Sequence, residues 1–401
     1  MSASLAKMSP RAIGTAVLVL TLALVGVIAA PADAKKKRAV KVDVMTRNVF
    51  LGADLGPALA AQNANQFIEA NGEILREVDL TDFPRRAPIL ADEIRSKEPD
   101  LVGLQEVALW REAPPDVTPA LTNTPVATTV TYDFLDLLMN ELNDGFYSEG
   151  DGYDEGGYKA VYVQEEFDFE APANKNGEPN DGPNPFIKNA EINGRLTMRD
   201  VILVRVGSGV KVKNATGGNF ENLLEVRVAN VVTVPVTRGW TQLDATAKKK
   251  IRQGKKKGET IKKRFRFVNS HFEAFDDETE TPSIRAQQAQ ELLDKAANRK
   301  RSIILGDFNS DSPGVKPGDE QAYEVLLAGG FKSRSTDDPL SCCVSDLFTP
   351  APEQFDHQVD HVMTNMGRKA TLKRSSVTGL TQTGGIYPSD HAGVFSTLKL
   401  K

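Results

Sequence analysis

Cysteine is nearly absent from this chain of 401 residues: Cys342 and Cys343 are the only two, and they are adjacent. Two adjacent thiols cannot build a disulfide framework, so stability has to come from a buried core. The pair either closes on itself as a vicinal disulfide or stays reduced in a buried setting, and both readings are structural rather than catalytic. A one-sided charge balance is also missing. Lys and Arg number 49 against 54 Asp and Glu, a formal net charge of −5, so no global basic field argues for nucleic acid. No internal repeat recurs at solenoid spacing. Nor is there an apolar run that clearly spans a membrane. Residues 16–30 are almost continuously apolar, but they include Thr21 and Gly26 and fall short of the ~20 residues a spanning helix needs. Lys7 and Arg11 precede this run, and Ala32-Asp33-Ala34 follows it as a small-x-small site. That layout is a secretory signal peptide over residues 1–34, cut after Ala34, with an uncleaved anchor as the alternative. The expectation is a secreted, extracellular protein in an oxidising medium rich in divalent cations.

What is present points to a single domain over residues 35–401. A hydrophobic content of 40% with 26% charged residues is that of a globular protein able to bury a core. Lys41 to Asn48 alternates as a strand. A helix follows, with Thr81 or Asp82 as its cap, Pro84 in its first turn and Ile89, Leu90 and Ile94 on one face. Asp100 to Val107 reads as a buried strand, so the order strand–helix–strand predicts parallel pairing through a right-handed crossover. Phe265 to Asn269, a helix over 282–297 opened by Thr281-Pro282, and Ile303 to Leu305 repeat that order. Residues 111–128 read as a loop, 132–142 as a helix, and 159–164, 200–206 and 226–236 as single strands. Further strands follow at 359–364, 370–377 and 394–398. Two stretches read as surface insertions: 170–190, rich in Pro, Asn, Gly and Asp, and 246–264, a basic block placed at a hairpin tip. Many strands with fewer helices predict sheet packed on sheet with helices outside.

Ser302 to Ser310 is the stretch the rest gathers around. Asp307 and Asn309 sit two apart after an apolar strand, so in extended chain they share a face. Alone, this supports a strand ending in an Asx-rich turn at least as well as a site. Other polar groups also stand at strand ends: Asn48; Gln105-Glu106; Asn269-Ser270-His271; Val359-Asp360-His361; Ser389-Asp390-His391. The chain has only four histidines, His271, His357, His361 and His391, and each lies in or beside one of these groups. His357 and His361, four apart, would share a helix face and suit zinc. Their apolar neighbours favour a strand instead, and no third ligand follows at a usual spacing.

The ordered set Thr46-Arg47-Asn48, Gln105-Glu106, Asn269-Ser270-His271, Gly306-Asp307-Phe308-Asn309, Val359-Asp360-His361 and Ser389-Asp390-His391 resembles the endonuclease/exonuclease/phosphatase superfamily. That group includes deoxyribonuclease-I-like nucleases, abasic-site endonucleases, inositol-polyphosphate 5-phosphatases and neutral sphingomyelinases. The resemblance runs from about Val42 to Leu398 and is specific for the superfamily, not for a substrate. It implies an α/β fold of α+β type: a four-layer sandwich of two packed mixed sheets flanked by helices, in a secreted bacterial-type member. It further implies Glu106 as the main carboxylate for a divalent metal, with Asn48 beside it and Asp390 on the metal side. The metal would be Mg²⁺, with Mn²⁺ or Ca²⁺ as alternatives. His391 would be the general base on water and Asp360 its orienting carboxylate. Asp307 and Asn309 would position the nucleophile and a phosphate oxygen, while His271 would contact the phosphate and be available as acid toward the leaving group. Arg199 is a further candidate phosphate contact, and Tyr158 and Tyr162 are both open for the tyrosine that relatives place near the phosphate.

The expected activity is divalent-metal-dependent hydrolysis of a phosphoester, as a phosphodiesterase or nuclease. A sphingomyelinase-like or phosphoinositide-type lipid phosphoesterase is the alternative, and a catalytically silent binding protein on the same fold is the reading from another class. The partner is the substrate, nucleic acid or phospholipid headgroup; no stable protein partner is implied, and a monomer is expected. A nuclease would use the basic block at 246–264 on a phosphate backbone.

Overall fold

In the strand Val40–Asn48, even positions alternate with odd ones, and both sets are buried over its second half. Val40, Val42 and Val44 pack in one apolar cluster while Met45 joins another. A strand buried on both faces lies inside a layered structure, and that is its place in this computed structural model. The structure describes residues 39–146, 155–179, 182–184, 187–230, 232–253, 256–276, 281–315, 319–335 and 339–401. The leader at 1–34 lies outside them. Residues Arg38–Lys401 form one compact unit, in which no described helix is long and apolar enough to cross a membrane.

Two mixed sheets stack face to face. The first has eight strands. Val40–Asn48 lies between Leu101–Gln105, its parallel partner, and Gly393–Leu400, its antiparallel one. Ala370–Thr378 closes one edge; Ile192–Arg205 continues the sheet toward Leu109–Ala113 and Thr129–Asp133 and also pairs with the long strand Tyr158–Ala173. The second sheet has six strands: Thr260–His271 runs parallel to Ser302–Asp307 and antiparallel to Gly239–Lys250, and Asp360–Thr364 follows on the other side of Ser302–Asp307. Lys332–Ser333 and Val210–Asn219 form its edges. Val42, Val44, Leu101, Phe267, Leu305, Val362 and Leu398 fill the space between the sheets. The helices Ala64–Thr81, Phe83–Lys97 and Phe134–Asn143 cover the outer face of the first sheet, and Ile284–Lys295 with Gln321–Ala328 cover that of the second. The expected four-layer sandwich, helix–sheet–sheet–helix, is the observed one, and both strand–helix–strand units pair in parallel.

Local expectations differ in instructive places. The Gly-, Ala- and Asn-rich segment after Asn48 forms the helix Ala64–Thr81, capped by the Asn63 side chain accepting from Gln66 N; its apolar stripe outweighs the poor helix formers Asn65, Asn71 and Gly72. Pro88 sits inside the helix Phe83–Lys97. The 282–297 helix begins at Ile284 with Ser283 as its cap, not at Pro282. Residues 111–128, expected as loop, carry the end of the strand Leu109–Ala113 and a short helix Thr118–Thr122. Residues 226–236 are two strands of a separate hairpin, Leu224–Val228 and Val232–Val236. The strand at 159–164 extends to Ala173, so the insertion expected at 170–190 starts only after it.

One glycine is required by contact. A Cβ at Gly306, which has φ +150°, would stand 1.8 Å from Ser270 O on the neighbouring parallel strand. Only glycine lets these two strands pair at this point.

Candidate active site

The parity that builds the core also builds the site. In Ser302–Asp307, Ile303 and Leu305 face the other sheet while Ile304 faces the helices, so Asp307 falls on the inner face. Phe265 and Phe267 face inward, which puts Asn269 and His271 on the same face. Val362 likewise sets Asp360 inward, and Val42 and Val44 set Asn48 inward. Each strand therefore ends its apolar inner row with a polar residue, all at one end of the sandwich. A buried amide ladder seals the transition: Gln105 Nε2 donates to Asn269 Oδ1, and Asn269 Nδ2 donates to Leu104 O at 3.0 Å, tying one sheet to the other.

Asn48, Glu106 and Asp307 meet at the centre. Asn48 Nδ2 donates to Glu106 Oε1 and to Asp307 Oδ2, both at 3.0 Å, while its Oδ1 accepts from Phe50 N at 2.9 Å. Asn48 thus turns its amide nitrogen, not its oxygen, toward the carboxylates and bridges them. Glu106 has φ +58° just past its strand, a conformation costly for a carboxylate-bearing residue. It is held there by Val107 N donating to Arg199 O at 3.0 Å, and by its own Oε2 accepting from Leu51 N at 2.8 Å.

Two histidines flank this centre with opposite electrostatics. His391 Nδ1 lies 2.9 Å from Asp360 Oδ2. A carboxylate only accepts, so Nδ1 carries a proton in either state, and in the neutral ring Nε2 is the lone pair. That Nε2 stands 3.6 Å from Asp307 Oδ2. Burial pushes His391 toward the neutral form, but Asp360, Asp307 and Asp390 outweigh it and hold its pKa well above the ordinary value. His271 is the reverse. Burial, then the charges of Arg238 and His391, push its pKa well below the ordinary value, so it is neutral. Arg238 Nη1 is 3.5 Å from His271 Nδ1 and only donates, which leaves the proton on Nε2. This buried Nε2 has no hydrogen-bond partner among the described residues and lies 3.6 Å from Asp307 Oδ2 and 3.9 Å from Glu106 Oε1. It is a donor aimed at the centre.

The cleft over these groups has a volume of about 400 Å³ and is lined by Phe50, Leu51, Leu55, Phe275 and Val344 as well as by the polar set. Its charged lining is acidic: Asp54, Glu77, Glu106, Asp307 and Asp390, against the guanidinium of Arg238. Burial raises the pKa of Asp307. Burial also raises Asp390, to about 6, with Glu106 and Asp307 adding to the rise. Hard oxygen donors crowded on one face, each making the next harder to ionise, fit a divalent cation of the Mg²⁺ class. Glu106 and Asp307 lie close enough to hold it together, and Asp390 lines the same cleft.

Of the residues read from the sequence, Asn48, Glu106, His271, Asp307, Asn309, Asp360, Asp390 and His391 are brought together. Asn309 lines the cleft, with its amide Nδ2 donated to Phe272 O at 3.0 Å. Arg199 does not belong with them, and its reading as a phosphate contact is corrected. It is buried and donates to Val107 O, Ala108 O and Asp133 Oδ1, so it clamps the turn behind Glu106. Tyr158 donates its hydroxyl to Pro99 O, Tyr162 packs near Gly217, and neither lines the cleft. His357 and His361 share no helix. His361 Nε2 meets Ser310 O at 2.8 Å and stacks on Phe308, while His357 Nδ1 meets Asp311 Oδ2 at 2.7 Å; both brace the loop after Asp307.

Three features escaped the sequence reading. Arg238 stands just before the strand Gly239–Lys250 and becomes the cleft's guanidinium. Glu166 and Asp200 lie buried together near His271, where burial raises both and takes Glu166 to about 8. Cys342 and Cys343 form a disulfide whose two Sγ atoms lie 3.6 and 3.7 Å from His391 Nε2. None has a spacing signal, because each partner is far away in the chain. The basic block has the opposite outcome. Strand pairs run from Gly239–His271 to Lys250–Thr260, so at about 3.3 Å per residue the tip stands roughly 35 Å from His271.

The model of the Endonuclease/Exonuclease/phosphatase family matches residues 63–391, a span that includes every strand-end group except Asn48. No curated protein matches the chain. Among solved structures, an endonuclease/exonuclease/phosphatase family protein from Bacteroides thetaiotaomicron is 15% identical, over 91% of this chain and 99% of that one, with a TM-score of 0.45. A Beutenbergia cavernae endonuclease/exonuclease/phosphatase is 17% identical over 90% and 72%, with a TM-score of 0.45. A mannosyl-6-phosphatase from Bacteroides thetaiotaomicron is 15% identical over 89% and 99%, with a TM-score of 0.44. Likeness at this level does not carry a substrate.

Proposed function

The chain belongs to the endonuclease/exonuclease/phosphatase family, whose folds are in general those of hydrolytic phosphoesterases, and from that premise we propose that it is a divalent-metal-dependent phosphoester hydrolase that attacks phosphorus with water. The observation that carries this reading is the Asp360–His391 pair, 2.9 Å apart, with its free Nε2 facing the Glu106–Asp307 centre. We propose also that the protein works outside the cell, on the strength of the leader at residues 1–34.

The residues divide the work by their chemistry. His391 Nε2 takes the proton from the attacking water, and Asp360 keeps the ring in the tautomer that leaves Nε2 free and stabilises the imidazolium that forms. Asp307, between the two histidines, accepts from the water and aligns it. His271, held neutral, gives its Nε2–H to a phosphoryl oxygen; a neutral imidazole with a low pKa is a hydrogen-bond donor rather than an acid toward the leaving group. Glu106 and Asp307 would hold a Mg²⁺-class ion, with Asp390 in the same cleft, and that ion would supply charge neutralisation at phosphorus. Asn48, with its nitrogen inward, fixes the spacing of Glu106 and Asp307.

The acidic, partly apolar cleft and the remote basic tip favour a substrate with one phosphoester over a long polyanion gripped along its backbone. A lipid headgroup or other small phosphoester fits this lining, and Phe275 at the rim supplies the apolar contact. The test is a panel of DNA, RNA, sphingomyelin, phosphoinositides and bis-p-nitrophenyl phosphate with Mg²⁺, on wild type and Glu106→Ala. Hydrolysis by wild type, lost with EDTA and with Glu106→Ala, is expected. Turnover that survives EDTA would contradict the mechanism.

A further inference from the structure

The Cys342–Cys343 disulfide sits on the proposed catalytic base. Cys342 is buried and Cys343 is exposed along the cleft. Both sulfurs face the nitrogen that the proposed mechanism needs free, His391 Nε2, at 3.6 and 3.7 Å. A tetrahedral d¹⁰ cation with Zn–S near 2.3 Å and Zn–N near 2.0–2.1 Å sets its sulfur and nitrogen ligands about 3.6 Å apart. The two sulfur–nitrogen distances therefore already match those of a zinc site. Only the sulfurs, now bonded to each other, would have to separate.

We propose that reduction of Cys342–Cys343 opens a soft-metal site, Cys342 Sγ, Cys343 Sγ and His391 Nε2, that binds Zn²⁺ or Cd²⁺ and takes the base out of catalysis. The step balances with a dithiol reductant of the dithiothreitol class. Two electrons pass from the dithiol to the Cys342–Cys343 bond, two thiols form, and the reductant closes to its cyclic disulfide. Binding of the cation then releases the thiol protons to solvent. Thiolate sulfur and imidazole nitrogen select this cation over Mg²⁺, which prefers the carboxylates nearby. Two metals of different softness would thus act at neighbouring donor sets, one supporting turnover and one stopping it, with the disulfide deciding whether the second can enter. The inhibitory half rests on the reading of His391 as the base; the binding half does not.

The experiment separates the two. The full-length secreted form is prepared oxidised and reduced, the reductant is removed, and Cd²⁺ is titrated in the presence of excess Mg²⁺, following the thiolate-to-metal absorption band. One equivalent bound by the reduced protein and none by the oxidised protein is expected, with Cys342→Ala/Cys343→Ala binding none in either state. Circular dichroism checks that the reduced chain stays folded. Hydrolysis of bis-p-nitrophenyl phosphate by the reduced protein should fall at least a hundredfold on adding one equivalent of Zn²⁺ and return with a zinc-selective chelator. A folded reduced protein that binds no Cd²⁺ beyond the oxidised level overturns the proposal. So does binding in the double variant, and so does full turnover with Zn²⁺ bound. If the oxidised protein hydrolyses no phosphoester yet the reduced protein binds one Cd²⁺, the phosphoesterase reading fails and the metal site stands.

Discussion

Replacing Asp360 by Asn tests the mechanism at its most defined contact. The change keeps shape but removes the charge 2.9 Å from His391 Nδ1. Two effects follow. First, a hydrogen bond to a charged group is worth about 1.5–3 kcal/mol, and 1.36 kcal/mol is one pKa unit, so the His391 pKa should drop by about 1–2 units. Asp360 raises that pKa in wild type; the base is protonated and idle below it, so activity rises with pH through it. The acid limb of kcat/KM should therefore move to lower pH in Asp360→Asn. Second, the Asn amide can donate to Nδ1, which moves the ring proton to Nε2 and blocks the base. The plateau should fall about 10²–10⁴-fold, the worth of one general base, or about 3–5.5 kcal/mol of barrier. KM should change little, because neither group binds the substrate directly. The assay is the pH dependence of bis-p-nitrophenyl phosphate hydrolysis at saturating Mg²⁺. A plateau within tenfold of wild type with an unmoved acid limb would refute the assignment.

Other outcomes follow from the same geometry. Glu106→Gln should weaken Mg²⁺ activation and cut turnover at least a hundredfold, while the loss of charge on the group that accepts from Leu51 N costs only about 1 kcal/mol of stability; Mg²⁺ titration of activity and a thermal melt read the two separately. Gly306→Ala should destabilise by more than about 3 kcal/mol or block folding, since its Cβ meets a backbone oxygen at 1.8 Å and no side chain can yield; a melt within a few degrees of wild type would show that the two strands can part. Lys248, Lys249 and Lys250 changed together to Gln should leave turnover and its salt dependence unchanged, because the hairpin tip is remote from the cleft. A drop in the salt slope on a DNA substrate would bring the tip back into substrate binding.

How far the site could be read in one dimension depended on parity. Strand-end residues such as Asn48, His271, Asp307 and Asp360 follow apolar alternation, and alternation is a local property with a period of two. Their convergence needed only the expectation that such strands stack. Arg199 failed for a different reason. Its strand was read, but a long guanidinium side chain finds its partners through space, and here they are two carbonyls and a helix cap. The helix Ala64–Thr81 was missed because Gly72 and three asparagines mask an apolar stripe that only packing on the first sheet makes decisive. The hairpin tip was read as a hairpin tip; its distance from the cleft is a matter of how many paired residues stand between.

By itself the chain determined the sandwich, the two parallel crossovers and the identity of the polar residues at the strand ends, since these follow from patterns within ten or twenty neighbouring residues. Only the tertiary structure decided what those residues do to one another. Asn48 turned out to bridge two carboxylates with its nitrogen. One histidine is held protonatable by three acids and the other neutral by burial and then by an arginine. The adjacent cysteines lie against His391, 48 and 49 residues away in sequence. The physical reason is range: alternation and capping act over a few residues, whereas burial and charge act through space between groups that the chain itself keeps far apart.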